Sequence, residues 1–177
     1  RDALDSEMTR LRAQETWDEA GVREYDDVVL EVYNTPGKEA HFGRIFSICV
    51  EKNSELAPEH RKYKGRTVFQ GNQVHDQNLE VAIFQQLKSC PATMCAAKCA
   101  DLFSLLKGND GMQADATQAY TQSTIKGIDT WVRLPRDQWP KEWTGMRDPV
   151  CPLRLALYGH PDAGGFWEQH CEGHLID

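Results

Sequence analysis

At 177 residues and 20.1 kDa, the chain is long enough for one domain with a core and too short for two of ordinary size. Hydrophobic content of 40% and charged content of 27% exclude a disordered chain, and no apolar run approaches the length of a bilayer span. A net charge of -7 and a pI of about 5.4 argue against a free-standing nucleic-acid binder, because phosphate neutralisation needs clustered Lys and Arg.

The charges are unevenly spread. Glu15, Asp18, Glu19, Glu24, Asp26, Asp27 and Glu31 crowd the first part of the chain, whereas His60-Arg61-Lys62-Tyr63-Lys64-Gly65-Arg66 is a compact basic run. That run reads either as a solvated turn or as a local phosphate site. Arg1-Asp2-Ala3-Leu4-Asp5 is no signal peptide, so an intracellular protein, cytoplasmic or nuclear, is expected. The missing initial Met and the end at Leu175-Ile176-Asp177 suggest a segment of a longer polypeptide.

Leu4, Met8 and Leu11 recur at helical spacing and predict an amphipathic helix from Ala3 to Gln14, followed by Trp17 in a polar linker. Val28 to Tyr33 is β-branched and apolar and predicts a strand that leaves through Asn34-Thr35-Pro36-Gly37. His41 to Val50 and Tyr63 to Gln70 predict an antiparallel pair, joined by the polar connector Glu51 to Lys62 with Pro58 inside it. The basic run then stands at a strand entrance, where its side chains can lean over a cleft.

Val81 to Leu87 and Thr93 to Leu106 have helical patterns, broken at Ser89-Cys90-Pro91 by proline. Gly108-Asn109-Asp110-Gly111 tolerates left-handed geometry and closes the second of them. Met112 to Asp115 predicts a short buried strand, and Ala116 to Gln122 the start of a helix. Thr130 to Leu134 predicts a strand closed by Pro135. Arg136 to Pro149 is a loop whose Trp139 and Trp143 anchor it to the surface. Cys151 to Tyr158 opens with an apolar run, Gly159 to Gly165 is a loop, and Phe166 resumes helical character, with Tyr158, Phe166 and Trp167 read as core and Trp131 as half-buried. Strands and helices without strict alternation predict an α+β domain, with no internal repeat.

Cys49, Cys90, Cys95, Cys99, Cys151 and Cys171 show no secreted framework and read as reduced thiols. Cys90, Cys95 and Cys99 lie in a small-residue helical stretch where thiols behave as small hydrophobes. A zinc module from Cys151, His170, Cys171 and His174 is an alternative, although no close Cys pair of the usual structural spacing occurs. Asp115 ends a predicted strand ahead of Ala116-Thr117-Gln118-Ala119-Tyr120. It reads either as a helix cap or as a seat for a divalent cation beside a backbone carbonyl.

Four segments carry a resemblance beyond periodicity. They are Tyr63-Lys64-Gly65-Arg66-Thr67-Val68-Phe69-Gln70-Gly71, Asp115-Ala116-Thr117-Gln118-Ala119-Tyr120, Trp131-Val132-Arg133-Leu134-Pro135, and Leu157-Tyr158-Gly159-His160-Pro161-Asp162-Ala163-Gly164-Gly165-Phe166-Trp167. In this order they resemble the motif set of copia-type retrotransposon reverse transcriptases, and Ala3, Glu7, Leu11 and Trp17 resemble the start of that family's domain. The resemblance implies one partial right-hand polymerase domain, with fingers over about 1–111 and the opening of the palm over about 112–177. It implies RNA-directed DNA polymerase activity on an RNA or DNA template-primer with dNTPs, within a retroelement polyprotein and away from any membrane.

In that family Asp115 would be the first catalytic aspartate, holding Mg²⁺ or Mn²⁺ together with the backbone carbonyl of Ala116 in two-metal nucleotidyl transfer. Lys64 and Arg66 would bind the triphosphate, the one as a point charge and the other as a planar fork. Tyr120 would pack under the incoming sugar and exclude a 2′ hydroxyl. The family's loop usually carries Lys-Gln where Pro161-Asp162 stands here; Asp162 beside a triphosphate repels it unless it turns away or binds metal, which puts its nucleotide contact in doubt. No aromatic-x-Asp-Asp segment occurs in these residues, so the fragment is expected to be inactive alone. A decayed or captured, non-enzymatic retroelement remnant is the alternative.

Overall fold

The computed structural model describes residues 1–84 and 92–176. Its helices are α1 (Asp2–Ala13), α2 (Tyr25–Asn34), α3 (Met94–Ser104) and α4 (Ala163–Ile176). Its strands are β1 (Arg23–Glu24), β2 (Ala40–Lys52), β3 (Lys62–Phe69), β4 (His75–Asp76), β5 (Asp129–Arg133) and β6 (Pro149–Pro152). They form one sheet in the order β1-β6-β5-β2-β3, with β4 also on β2; β2 and β5 run parallel, and the other pairs antiparallel. This is the mixed α+β architecture expected. Among the described residues no helix is long and apolar enough to cross a membrane.

β2 divides the molecule. On its odd side Ile45 meets Phe69 of β3 and Met8 and Leu11 of α1, and Trp17, Val132 and Leu157 extend the same core. α1 lies directly on β3, because a Cβ on Gly65 would collide with the Ala3 carbonyl oxygen. On the even side, Ala40 and Phe42 pack with Val28 and Val32 of α2 and with Val150. Beyond Phe42 that even side is bare: Arg44, Phe46, Ile48, Val50 and Lys52 are exposed, and so are Lys62, Lys64 and Arg66 of β3.

Several expectations are corrected. Val28 to Tyr33 is helix, not strand. A strand would bury Val28, Leu30 and Val32 on one face, but Leu30 is 62% exposed while Val28 and Val32, one turn apart, are buried. Asp26 and Asp27 in the first turn favour the helix through its dipole. Val81 to Phe84 is not helical either: Val81 bridges His75, and Ala82 donates to Val74; residues 85–87 of that expected helix, and the Ser89-Cys90-Pro91 break, lie outside the described residues. Met112 to Asp115 is not a buried strand. It pairs with no strand of the sheet, and Met112 is 95% exposed. The helix expected at Ala116 is a single 3-10 turn over Ala119–Gln122.

Trp17 and Trp143 are core residues rather than linker and surface anchors, and Tyr158 is exposed rather than core. The first helix, the β2 and β3 pair and β5 stand close to their expected bounds. So does α3, whose Thr93 hydroxyl caps the Ala96 amide at 3.1 Å, although Cys95 and Cys99 on it are exposed and not small core hydrophobes. Trp131 is half-buried against the α2 cluster, as expected.

β3 and the later part of the chain interlock at Gly159. Phe69 N–H donates to the Tyr158 carbonyl at 2.7 Å, Gly159 adopts φ +88°, and a Cβ there would overlap the Phe69 carbonyl oxygen. Gly37 has φ +78° with open space around it. Gly37→Ala should therefore cost about 1 kcal/mol from left-handed strain alone, and Gly159→Ala about 1–3 kcal/mol more from the clash. Urea midpoints measure both, and equal losses would show that the close approach is not what holds Gly159.

Candidate functional site

The β2–β3 ribbon has two unlike faces because its register is fixed. Val50 stands opposite Lys64, Ile48 opposite Arg66, Phe46 opposite Val68, and Lys52 opposite Lys62. Partners directly opposite share a face, so an apolar row on β2 runs beside a cationic row on β3. Gly65, Thr67 and Phe69 point the other way and are buried under α1. The Thr67 hydroxyl donates to the Met8 sulfur at 3.4 Å. No Asp or Glu occupies the even positions 44–52 or 62–70, although the whole chain carries -7. Several acidic residues pair elsewhere: Glu31 with Lys38 and Arg23, Glu15 and Asp18 with Arg154, and Glu19 with Arg12. The Lys38 and Arg23 hydrogen bonds pull the Glu31 carboxyl down to about 2.

Tyr120 sits half-buried on the 3-10 turn, with its ring centroid 4.7 Å from that of Tyr158 in an edge contact. It packs against Ala156, Ala163 and Phe166. Tyr158 thus links two of the singled-out segments, since its carbonyl takes the Phe69 amide of β3 and its ring meets Tyr120. Its exposure was not anticipated from the sequence; its place beside Gly159 in the fourth motif was the available signal.

Asp115 and Ala116 are exposed in a stretch without regular structure. Among the described residues, no three His, Cys, Asp or Glu side chains converge as a metal-holding group. One carboxylate and one carbonyl do not fit a pair of divalent ions, which need several hard oxygens. The four residues of the zinc module form no metal-holding group among the described residues. Cys151 is 0% exposed in β6, with its thiol donating to the Val132 carbonyl and its pKa pushed up by burial, whereas His170 and His174 pair with each other on α4, ring centroids 4.6 Å apart. The described cysteines Cys49, Cys95, Cys99, Cys151 and Cys171 are all free thiols.

Asp162 is turned inward, only 5% exposed, just ahead of α4. Its amide donates to His160 Nδ1 at 3.1 Å and its carbonyl accepts from Phe166. With His41, Lys126, Thr130 and His160 it lines a cleft of about 20 Å³, to which neither Lys64 nor Arg66 contributes. His160 packs among the rings of Phe69, Phe84 and Phe166, and its Nε2 has no hydrogen-bond partner among the described residues. Burial pushes its pKa down to about 4, only partly opposed by Asp162, and burial lowers His41 as well. Neither buried imidazole was singled out from the sequence in this role, and no spacing marks them.

No family model matches this chain, nor does any curated protein or solved structure.

His160 makes stability depend on pH. Its folded pKa lies below the unfolded value of about 6.5, so the unfolded chain takes the proton first. Stability should be complete above about pH 6.5 and fall as pH drops to about 4, by on the order of 3 kcal/mol. His160→Phe, which keeps a ring of similar size, should flatten that part of the pH profile of the denaturation midpoint. An unchanged slope would remove His160 from this role.

Proposed function

We propose that this chain carries the fingers and the opening of the palm of a copia-type reverse transcriptase, an RNA-directed DNA polymerase within a retroelement polyprotein. The observation that carries the reading is the bare ribbon face. Lys64 and Arg66, which the sequence motif singles out for the triphosphate, project to the same side as Arg44, Lys52 and Lys62, with no carboxylate between them. A segregated cationic strip on an acidic protein suits a polyanion, because each phosphate bound releases condensed counterions. Phe46, Ile48 and Val50 beside it suit the flat, less polar faces of bases and sugars.

Within this reading Lys64 offers a mobile point charge and Arg66 a planar fork for phosphate oxygens. The partners are a template-primer of RNA or DNA and dNTPs. Tyr120, braced edge-on by Tyr158, supplies a rigid wall for the sugar, since an aromatic ring held on one side has little room to yield to an added hydroxyl. Asp162, buried in a different cleft, would touch no nucleotide. Mg²⁺ or Mn²⁺ would supply charge at the reacting oxygens in a complete polymerase. Asp115 with the Ala116 carbonyl would be part of its seat, but these two oxygens do not make that seat by themselves.

The exposure of Asp115 outside any metal-holding group among the described residues also favours a second reading, a decayed or captured remnant that keeps the fold without catalysis. The first reading requires nucleic-acid binding by the face, and both require no primer extension by this chain alone. Anisotropy titrations over a salt series should give salt-dependent binding of a labelled template-primer. Lys64→Ala with Arg66→Ala should reduce the log–log salt slope by about 1.4 where the phosphates met are single-stranded and about 1.8 where they are duplex. An unaltered slope would contradict the assignment of both residues. Primer extension by the chain that disappears in Asp115→Asn would contradict the incomplete metal site.

A further inference from the structure

α2 covers the even side of β2 only as far as Phe42, and the bare face begins at Arg44. Between them lies a cleft of about 290 Å³. That is close to the lower end of small-ligand sites, with room for one nucleotide and none for a duplex. One wall is aromatic: the half-buried Tyr25 ring, backed edge to face by the buried Phe42 ring with centroids 4.7 Å apart. Arg133 lies over the Tyr25 ring at 4.5 Å, and its Nε and an Nη each donate to the Asp148 carboxylate at 2.7 Å. The Arg133 charge is therefore matched, and the group extends the flat wall.

Arg44 stands at the mouth with its charge unmatched. It is exposed, no carboxylate among the described residues pairs with it, and no Asp or Glu lines the cleft. Register places it next to Arg133 on β5, so the cationic strip of the ribbon runs directly into this opening. On the far lip Leu79 is 71% exposed at φ +65°, a backbone region that a bulky residue seldom enters. The Asp76 carboxylate holds that turn by accepting the Asn78 and Glu80 amides at 2.7 and 2.9 Å. Gln73 and His75 complete the rim with hydrogen-bonding groups.

We propose that this cleft takes one unpaired nucleotide of a single-stranded nucleic acid whose phosphates follow the strip from Lys62 to Arg44. The base would lie against Tyr25 and Leu79, and the phosphate on the Arg44 fork. An aromatic platform beside a guanidinium is the combination by which single strands are held without regard to sequence. A paired base cannot reach such a wall, because stacking on its neighbours occludes both faces. The inference rests on the polyanion reading of the ribbon face, and it adds a place where the strand is gripped and a preference for unpaired nucleotides.

The test uses the whole chain, labelled oligo-dT of about 4 to 16 nucleotides and a duplex of matched length. Single strands should bind more tightly than duplex. Arg44→Ala should weaken single-strand binding about tenfold and lower the salt slope by about 0.7, with Arg44→Lys intermediate. Added dTMP should shift the backbone amide resonances of Tyr25, Gln73 and His75 in the wild-type chain and not in Arg44→Ala. Wild-type affinity and slope in Arg44→Ala, with the Lys64 and Arg66 substitutions still weakening binding, would overturn the cleft and leave the ribbon face standing. Equal affinity for duplex would also overturn it. Absence of salt-dependent binding by the wild-type chain would overturn the cleft and the ribbon reading together.

Discussion

The pairing register of β2 with β3 is the constraint on which the rest of the molecule depends. Val50 opposite Lys64 and Ile48 opposite Arg66 set every cation of the ribbon to one side, and set Gly65, Thr67 and Phe69 to the other. A slip of one residue would drive the basic side chains under α1 and turn Phe69 out of the core. Gly65 guards against this, since α1 approaches its backbone too closely for any side chain. The same alternation that builds the core therefore displays the charge.

Two helices then use the two sides of β2 unequally. α1 closes the odd side along the ribbon, and α2 closes the even side only around Ala40 and Phe42. What α2 leaves uncovered is the basic and apolar face, with the Tyr25 cleft at the boundary. The later part of the chain is tied in through the Tyr158 carbonyl, the Gly159 backbone and the buried His160, so Tyr120 is braced by the same residue that anchors β3. The charge pattern follows from this plan. Several carboxylates of the acidic first third are taken up by Arg23, Arg12, Arg154 and Lys38, and among the described residues no ion pair is made by Arg44, Lys52, Lys62, Lys64 or Arg66.

Much of this was legible in the sequence, for physical reasons that differ by element. The 3.6 period of Leu4, Met8 and Leu11 defined α1 by its one buried face, and the β-branched and aromatic run from His41 to Val50 defined β2. The basic run at a strand entrance was readable as well. Val28 to Tyr33 misled because β-branched residues suit strands by side-chain shape, while the deciding signal was the i, i+4 spacing of Val28 and Val32 together with the acidic first turn. Met112 to Asp115 misled because small and apolar residues suggest a buried strand only where a neighbouring strand is there to pair with. Asp115 was conspicuous, yet among the described residues no metal-holding group forms around it; Arg44 was inconspicuous, and register brings it beside Arg133. Buried His160 carries no sequence signal, since its environment is assembled from β3, Phe84 and α4.

The central claim is that the even side of the β2–β3 ribbon, and no other cationic part of the surface, meets nucleic acid. Quantitative lysine acetylation of the chain with and without a template-primer oligonucleotide measures this directly. The account predicts that Lys52, Lys62 and Lys64 are protected while Lys98, Lys107 and Lys141 react as in the free protein. Protection spread evenly over both groups, or confined to Lys98, Lys107 and Lys141, would contradict it.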